Sequence, residues 1–381
     1  MEKPSFAKGL EGVIASESTI CVVDGQKGKL YYRGYSVQDL AEHSNFEEVT
    51  YLLLYDKLPT SEEMALFSKK MRKSRALSEP ILAMIHAFPA EAHPMELLQS
   101  VVAYLSGYTS HRIEHSLHCN CRDTLHQVVQ LGSVVAAYAR HRAGQEYVEP
   151  NLELSHGGNF LYMLHGKEPD PLEARIMDTI LILHAEHGFN ASTFTARVVA
   201  STLSTCYASI SSAIGSLAGP LHGGANERVI EMIEEIGDKS QVDQWLEKAL
   251  KEKRKVMGLG HRVYKVKDPR ADIMEKFLIQ LSERLGDNEY YEILKEIENK
   301  VNAKIGDPAK TLYPNVDFYS GAVYRLLGIE PILFTPLFAV SRVSGWLAHI
   351  IEQRGDNRLF RPKCLYIGPE PREYVPMDKR E

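Results

Sequence analysis

Residues Phe194–Leu217 read FTARVVASTLSTCYASISSAIGSL, a run of mostly small and apolar residues without a proline. A helix built from this run lacks a polar face, and such a helix is buried in a core or an interface. Its small side chains let a neighbouring helix approach closely. The run predicts one central helix, with a dimer interface as one place for it.

Outward from this run the helical period continues. Ala225–Ile236 places Val229, Met232, Ile233 and Ile236 on one face, and Gly237 ends it. Ser240–Lys255, Ala271–Leu285 and Tyr290–Val301 repeat the pattern, and Pro336–Gln353 is the last long helix, stopped by Gly355. Upstream, Phe46–Tyr55 is a helix stopped near Pro59, and periodic segments begin near Ser78, Pro94, Thr124, Asn159 and Pro171. Ser36-x-x-Asp39, Ser44-x-x-Glu47 and Thr60-x-x-Glu63 have the spacing of capping boxes. Gly12–Arg33 is rich in Val, Ile and Tyr, with turn signals at Asp24-Gly25 and Lys27-Gly28, which predicts a small hairpin or two short strands. The tail Phe360–Pro376 is proline-rich and extended. The expected fold is mainly α with a small β element at the N-terminus.

Composition narrows the function classes. The chain has 381 residues, enough for two or so domains at about 150 residues each. A net charge of -6, with no run of bases, gives no reason to expect nucleic acid binding. The N-terminus has no signal-peptide core, and the apolar region Leu326–Ile351 is interrupted by Glu330, Pro331, Pro336 and Arg342, too often for a membrane span. Five cysteines, an odd number and widely scattered except for Cys119 and Cys121, predict reduced thiols and a cytoplasmic protein.

Three stretches carry chemistry. MGLGHRVYKVKDPR, Met257–Arg270, sets Gly258 and Gly260 before His261 and follows them with bases and a proline-fixed arginine. Such a loop suits a small anion held beside a polarising imidazole; it also reads as a basic surface loop. GPLHGGANE, Gly219–Glu227, puts His222 before a helix start, whose partial positive charge favours a neutral imidazole that donates to a developing enolate. The alternative is a buried histidine satisfying a carbonyl. YPNVDFYSG, Tyr313–Gly321, places Asp317 before a helix running to Leu327, as an N-cap or as a general base held near Val316 and Phe318. The local sequence favours the cap. His184 and His187 in LHAEHGFNAST are three apart, as on one helix face, but match no metal-ligand spacing. His187 suits a hydrogen bond to a substrate oxygen, His184 the core.

In this order, GPLHGGANE, GLGHRVYKVKDPR and LYPNVDFYSG resemble the citrate synthases. The resemblance runs from VDGQKGKLYYRGYSVQDLAEHSNFEEVTYLLL through LHAEHGFNASTFTARV to FTPLFAVSRVSGWLAHIIEQ and RLFRPKCLYIG, nearly the whole chain, and is similar to the short bacterial and archaeal form. It implies condensation of acetyl-CoA with oxaloacetate. Asp317 would take a methyl proton, His222 would hold the thioester oxygen, and His261 would polarise the ketone. It also implies His187, Asn190, Arg270, Arg342 and Arg361 around oxaloacetate, with Arg361 reaching across a homodimer; each arginine alone reads as a surface ion pair. Met257, Gly258, Leu259, Gly260 and Lys265 would serve CoA, and neither a metal nor a tightly bound cofactor is required. The family architecture implies a large helical domain, 1–218 plus 327–381, and a small domain, 219–326, closing over the substrates. The close alternative is a 2-methylcitrate synthase using propionyl-CoA; a distant one is a non-catalytic CoA-binding or assembly protein, against which the intact His222, His261 and Asp317 argue. Leu221, where a lysine would point to propionyl-CoA, tilts the reading to citrate. Three departures stand out. Leu259 occupies a position that is often aromatic, SHGGNF at Ser155–Phe160 replaces a more usual alanine pair, and HRIEHSLHCNC at His111–Cys121 carries possible metal ligands in what reads by default as an exposed loop.

Overall fold

The computed structural model describes residues 6–108, 125–307 and 310–380. The His111–Cys121 segment lies outside the described residues. Strands β1 (Cys21–Asp24), β2 (Lys29–Tyr32) and β3 (Tyr35–Ser36) form an antiparallel meander, one short strand more than the hairpin expected. Cys21 pairs with Tyr32 and Asp24 with Lys29, so the turn between them spans Gly25–Gly28.

Sixteen α-helices follow among the described residues. They are α1 (Val37–His43), α2 (Phe46–Tyr55), α3 (Ser61–Lys73), α4 (Glu79–Ala87), α5 (Pro94–Leu105), α6 (Leu125–Arg142), α7 (His156–His165) and α8 (Pro171–His184). Then come α9 (Ala191–Ser201), α10 (Cys206–Leu217), α11 (Ala225–Ile236), α12 (Val242–Lys251), α13 (Pro269–Leu285), α14 (Glu289–Ile305), α15 (Val316–Leu326) and α16 (Phe334–Gly355). The chain ends in an exposed extended tail with one short 3₁₀ turn at Met377–Lys379.

Local signals set most of these ends. Thr60 and Glu63 form the reciprocal capping box expected for α3. Ser36 accepts from the Asp39 N–H at the start of α1. The Ser44 expectation is one residue out: Asn45 caps α2, accepting from the Glu48 N–H, while Ser44 closes α1. Asn and Ser are equally good caps, so spacing alone could not choose between them.

The run that opened the sequence reading is two helices, not one. Leu203 takes a left-handed φ of 62°, and Thr205 caps α10 by accepting from the Ala208 N–H. Ser201 and Thr202 donate to the Val198 and Val199 carbonyls, the side-chain competition that ends a helix rich in hydroxyls. The small residues still allow α9 and α10 to pack closely as a pair. They pack against α16, the helix around which the large core is built, with Trp346 fully buried. Pro331–Gly355 is long and apolar enough to cross a membrane by length and composition alone, but it is mostly buried inside the fold. Its apolarity serves a protein core. Cys21 and Cys364 are free thiols.

Candidate active site

Two loops are zipped together beneath the site. Gly260 N–H donates to the Tyr313 carbonyl (2.8 Å), and Asn315 N–H donates to the Gly258 carbonyl (2.9 Å). The Asn315 amide donates to the Gly260 carbonyl (2.8 Å), while its Oδ1 accepts from the Asp317 N–H (2.9 Å) and so caps α15. Asp317 is therefore not the cap; it stands in the first turn with its carboxylate released from that duty. Gly258 has φ 75°, and a Cβ there would lie 2.6 Å from the Phe318 Cα, so only glycine lets the loop reach α15. His261 and Asp317 are thus set by one small unit.

The histidine tautomers follow from their partners. His261 Nδ1 accepts from the Val263 N–H (3.0 Å) and the Tyr264 N–H (3.1 Å). Backbone N–H groups only donate, so Nδ1 is bare and Nε2 carries the proton. His222 is the reverse: its Nε2 accepts from the Ser192 N–H (3.2 Å), with Ser192 Oγ 2.8 Å away, and Nδ1 carries the proton. Trp346 Nε1–H donates to Ser192 Oγ (3.1 Å), fixing that hydroxyl in turn. Burial, then the nearby Arg270, lowers the His261 pKa to about 4. Burial, then Arg342, lowers His222 to about 4, which replaces the helix-start charge as the cause. At neutral pH both rings are uncharged donors.

Asp317 is the opposite case. Burial raises its pKa to about 6, and no hydrogen bond or ion pair holds its carboxylate among the described residues. It lines a cleft of about 730 Å³ with His187, Asn190, His222, His261, Arg270 and Arg342. Arg270 is held by Asp268 through Nε (3.0 Å) and Nη2 (2.7 Å), both residues buried, so the residue before the proline aims the residue after it. Arg342, 1% exposed, donates through Nε to the His184 carbonyl (2.7 Å). Its guanidinium lies over the Phe338 ring, 4.6 Å from the centroid, and its two terminal nitrogens have no hydrogen-bond partner among the described residues. The cleft therefore holds two buried cations, two neutral N–H donors and an unpaired carboxylate, a set suited to a small dianion and to proton abstraction beside it.

The other expected residues divide. His187 sits beyond the end of α8, not on a shared helix face with His184; its Nε2 is 3.3 Å from the Tyr264 hydroxyl, and burial followed by Arg270 holds its pKa well below the usual range. His184 is fully buried, its Nδ1 on the Ile180 carbonyl. Asn190 caps α9, accepting from the Thr193 N–H and the Ser192 hydroxyl, so its side chain shapes the cleft wall. Lys265 is exposed on an adjoining cleft of about 660 Å³ that also contains Gly260, His261 and Lys310. Met257, Gly258 and Leu259 line neither cleft; Gly258 and Leu259 take part in the loop pairing, and Met257 packs against the core. Arg361 lies exposed on the tail, outside both clefts within one chain. Sequence reading missed Ser192, Tyr264 and Asn315. Asn315 had a signal, a cap-type residue just before Val316; Ser192 had none, because its partner is thirty residues away.

A family model described as citrate synthase, C-terminal domain, matches residues 9–363. A citrate synthase of Synechocystis sp. is 48% identical over 98% of this chain and 94% of its own length. A 2-methylcitrate synthase of Corynebacterium glutamicum is 41% identical over 98% of this chain and 97% of its own. The solved ternary complex of carboxymethyl coenzyme A and oxaloacetate with the citrate synthase of Thermoplasma acidophilum superposes with a TM-score of 0.91, at 34% identity, over 99% of this chain and 100% of that one. Matched along nearly its whole length in both sequence and fold, the chain belongs to the citrate synthase family.

Proposed function

We propose that the chain condenses acetyl-CoA with oxaloacetate and water to give citrate and CoA. The observation that carries this reading is the opposed pair of neutral imidazoles, His222 bearing its proton on Nδ1 and His261 on Nε2, around the unpaired Asp317. Asp317 takes a proton from the acetyl methyl group while His222 Nδ1–H stabilises the thioester oxygen as the enol forms. The enol carbon attacks the ketone of oxaloacetate, polarised by His261 Nε2–H. Water then cleaves the citryl thioester, and CoA leaves as the thiol. Arg270, Arg342 and His187 bind the oxaloacetate carboxylates. The adjoining cleft, with Lys265 at its edge, takes CoA.

The chain divides into a large domain, 1–218 plus 327–381, and a small domain, 219–326, and closure excludes water during the condensation. It acts as a homodimer, with Arg361 of a second copy completing the oxaloacetate site. Support comes from apolar side chains left bare at both ends, among them Ile14, 90% exposed, and Ile367, 90% exposed. Arg361→Ala raises the KM for oxaloacetate, and mixing it with an Asp317 variant restores part of the activity if the site is shared between chains.

The direct test is release of free CoA thiol with oxaloacetate, comparing acetyl-CoA with propionyl-CoA. A preference for propionyl-CoA favours the second reading, 2-methylcitrate synthesis, which the Corynebacterium relative supports. One methyl group separates the two substrates, a discrimination of only about 1–3 kcal/mol. No thiol from either would leave a CoA-binding or assembly protein.

A further inference from the structure

The turn between β1 and β2 reads DGQKG, Asp24–Gly28, and it packs directly on the loop that follows His261. Gly25 accepts the Lys265 N–H on its carbonyl at 2.8 Å. A Cβ on Gly25 would lie 2.2 Å from the Val263 carbonyl oxygen and 2.8 Å from the Val263 carbonyl carbon. Those atoms are backbone and cannot swing away as a side-chain end can. Three residues on, a Cβ at Gly28 would lie 2.8 Å from Val266 Cγ2 and 3.1 Å from the Lys267 carbonyl oxygen. The strand leading into the turn carries Val23, which lines the 730 Å³ cleft and lies against Gly188, next to His187.

This contact matters because of what Val263 does. Its N–H is one of the two donors that keep His261 Nδ1 bare. Its carbonyl is the group pressed onto Gly25. A shift that relieves a Cβ at Gly25 therefore moves the donor that fixes the imidazole, while the same loop runs on to Asp268, which caps α13 and holds Arg270 in its first turn.

We infer that the Gly25–Gly28 turn is a positioning element for the reaction, and that Gly25 holds the His261 imidazole in its donor form by admitting the Val263 backbone at close contact. On the domain division proposed above, it is also a place where the large domain grips the small one. This inference rests on the condensation reading for its kinetic consequences, though not for the contact itself.

The test compares two alanine variants. Gly25 has no positive φ, so alanine there is limited by space alone. Gly34, in the next turn of the same meander, has φ 87° and open space where a Cβ would go, so Gly34→Ala strains the meander without touching the loop. Gly25→Ala is expected to lower kcat/KM for oxaloacetate at least about tenfold, with Gly34→Ala within about twofold of the unaltered protein and both variants folded by circular dichroism. Gly25→Ala within twofold of the unaltered protein, or an equal loss in Gly34→Ala, overturns the inference.

Hydrogen exchange on the unaltered protein without ligand supplies a measurement that needs neither a folded variant nor turnover. The Lys265 amide is expected to exchange slowly, although it belongs to an exposed residue of a loop. Exchange at the rate of an unprotected amide overturns the contact. Failure to release thiol from either acyl-CoA overturns the condensation reading instead, and leaves the exchange result standing.

Discussion

Glu47 and Asp317 occupy the same local position with opposite outcomes. Each is the second residue of a helix, and each helix is capped by an asparagine, Asn45 or Asn315. Glu47 is 3% exposed and receives Arg75 Nη2 at 2.9 Å and Arg72 Nε at 3.2 Å. Asp317 receives no cation, and burial lifts its pKa to about 6. The first region matches its buried charge; the second withholds the match. A carboxylate with a guanidinium on it is a poor base, whereas one left unpaired in a cleft retains a pKa close to the working pH.

The largest expected effect comes from removing the unpaired group. Asp317→Ala lowers kcat by about 10³-fold, within the range for a general base, while leaving the fold intact. Steady-state thiol release checks it, and a near-normal rate would remove Asp317 from the proton transfer. Next is the matched region. Arg75→Ala strands the Glu47 charge and costs about 3 kcal/mol in denaturant unfolding, with little change in KM. A loss under about 1 kcal/mol would show that Arg72 or water replaces the pair.

Asp317→Asn separates function from stability. The folded pKa lies above the unfolded one, so the unfolded chain ionises first as pH rises from about 4 to about 6, and stability falls across that window. Above it the loss is constant, on the order of 2 kcal/mol after allowance for partial exposure. Asp317→Asn should therefore be more stable than the unaltered protein at pH 7 and equal to it below about pH 4. An equal melting temperature at pH 7 would place Asp317 in a solvated setting. The mildest effect is on the pH profile. kcat/KM falls about tenfold per pH unit below about 6, as Asp317 takes up its proton, and shows no histidine-dependent limb between pH 6 and 8 because His222 and His261 are lowered to about 4. A limb that persists in a His261 variant but disappears in an Asp317 variant confirms the assignment.

Much of this was legible before any coordinates. The bounds of α11 were read to the residue, as were those of α2, because each is followed by a clear stop signal. The break between α9 and α10 was not, since a run of Ser, Thr and Ala has no face to register and the turn at Leu203 depends on hydroxyl contacts. Asp317 was read first as a cap, because cap and base look alike until Asn315 is seen to take the capping bond.

The amino-acid order by itself determined the helical class of the fold, the glycines that let the His261 loop turn, and which side chains of chemical consequence the chain carries. Those properties are local, set by periodicity and by backbone freedom within a few residues. Only the tertiary structure decided which ring nitrogen of each histidine bears the proton, which carboxylate receives an arginine, and which turn is pressed against Val263. Ser192 meets His222 from thirty residues away, Arg75 meets Glu47 from twenty-eight, and Gly25 meets Lys265 from the far end of the chain. Contacts of that length have no period to read, because they form when separate helices pack and bury the groups that must then find partners or go without.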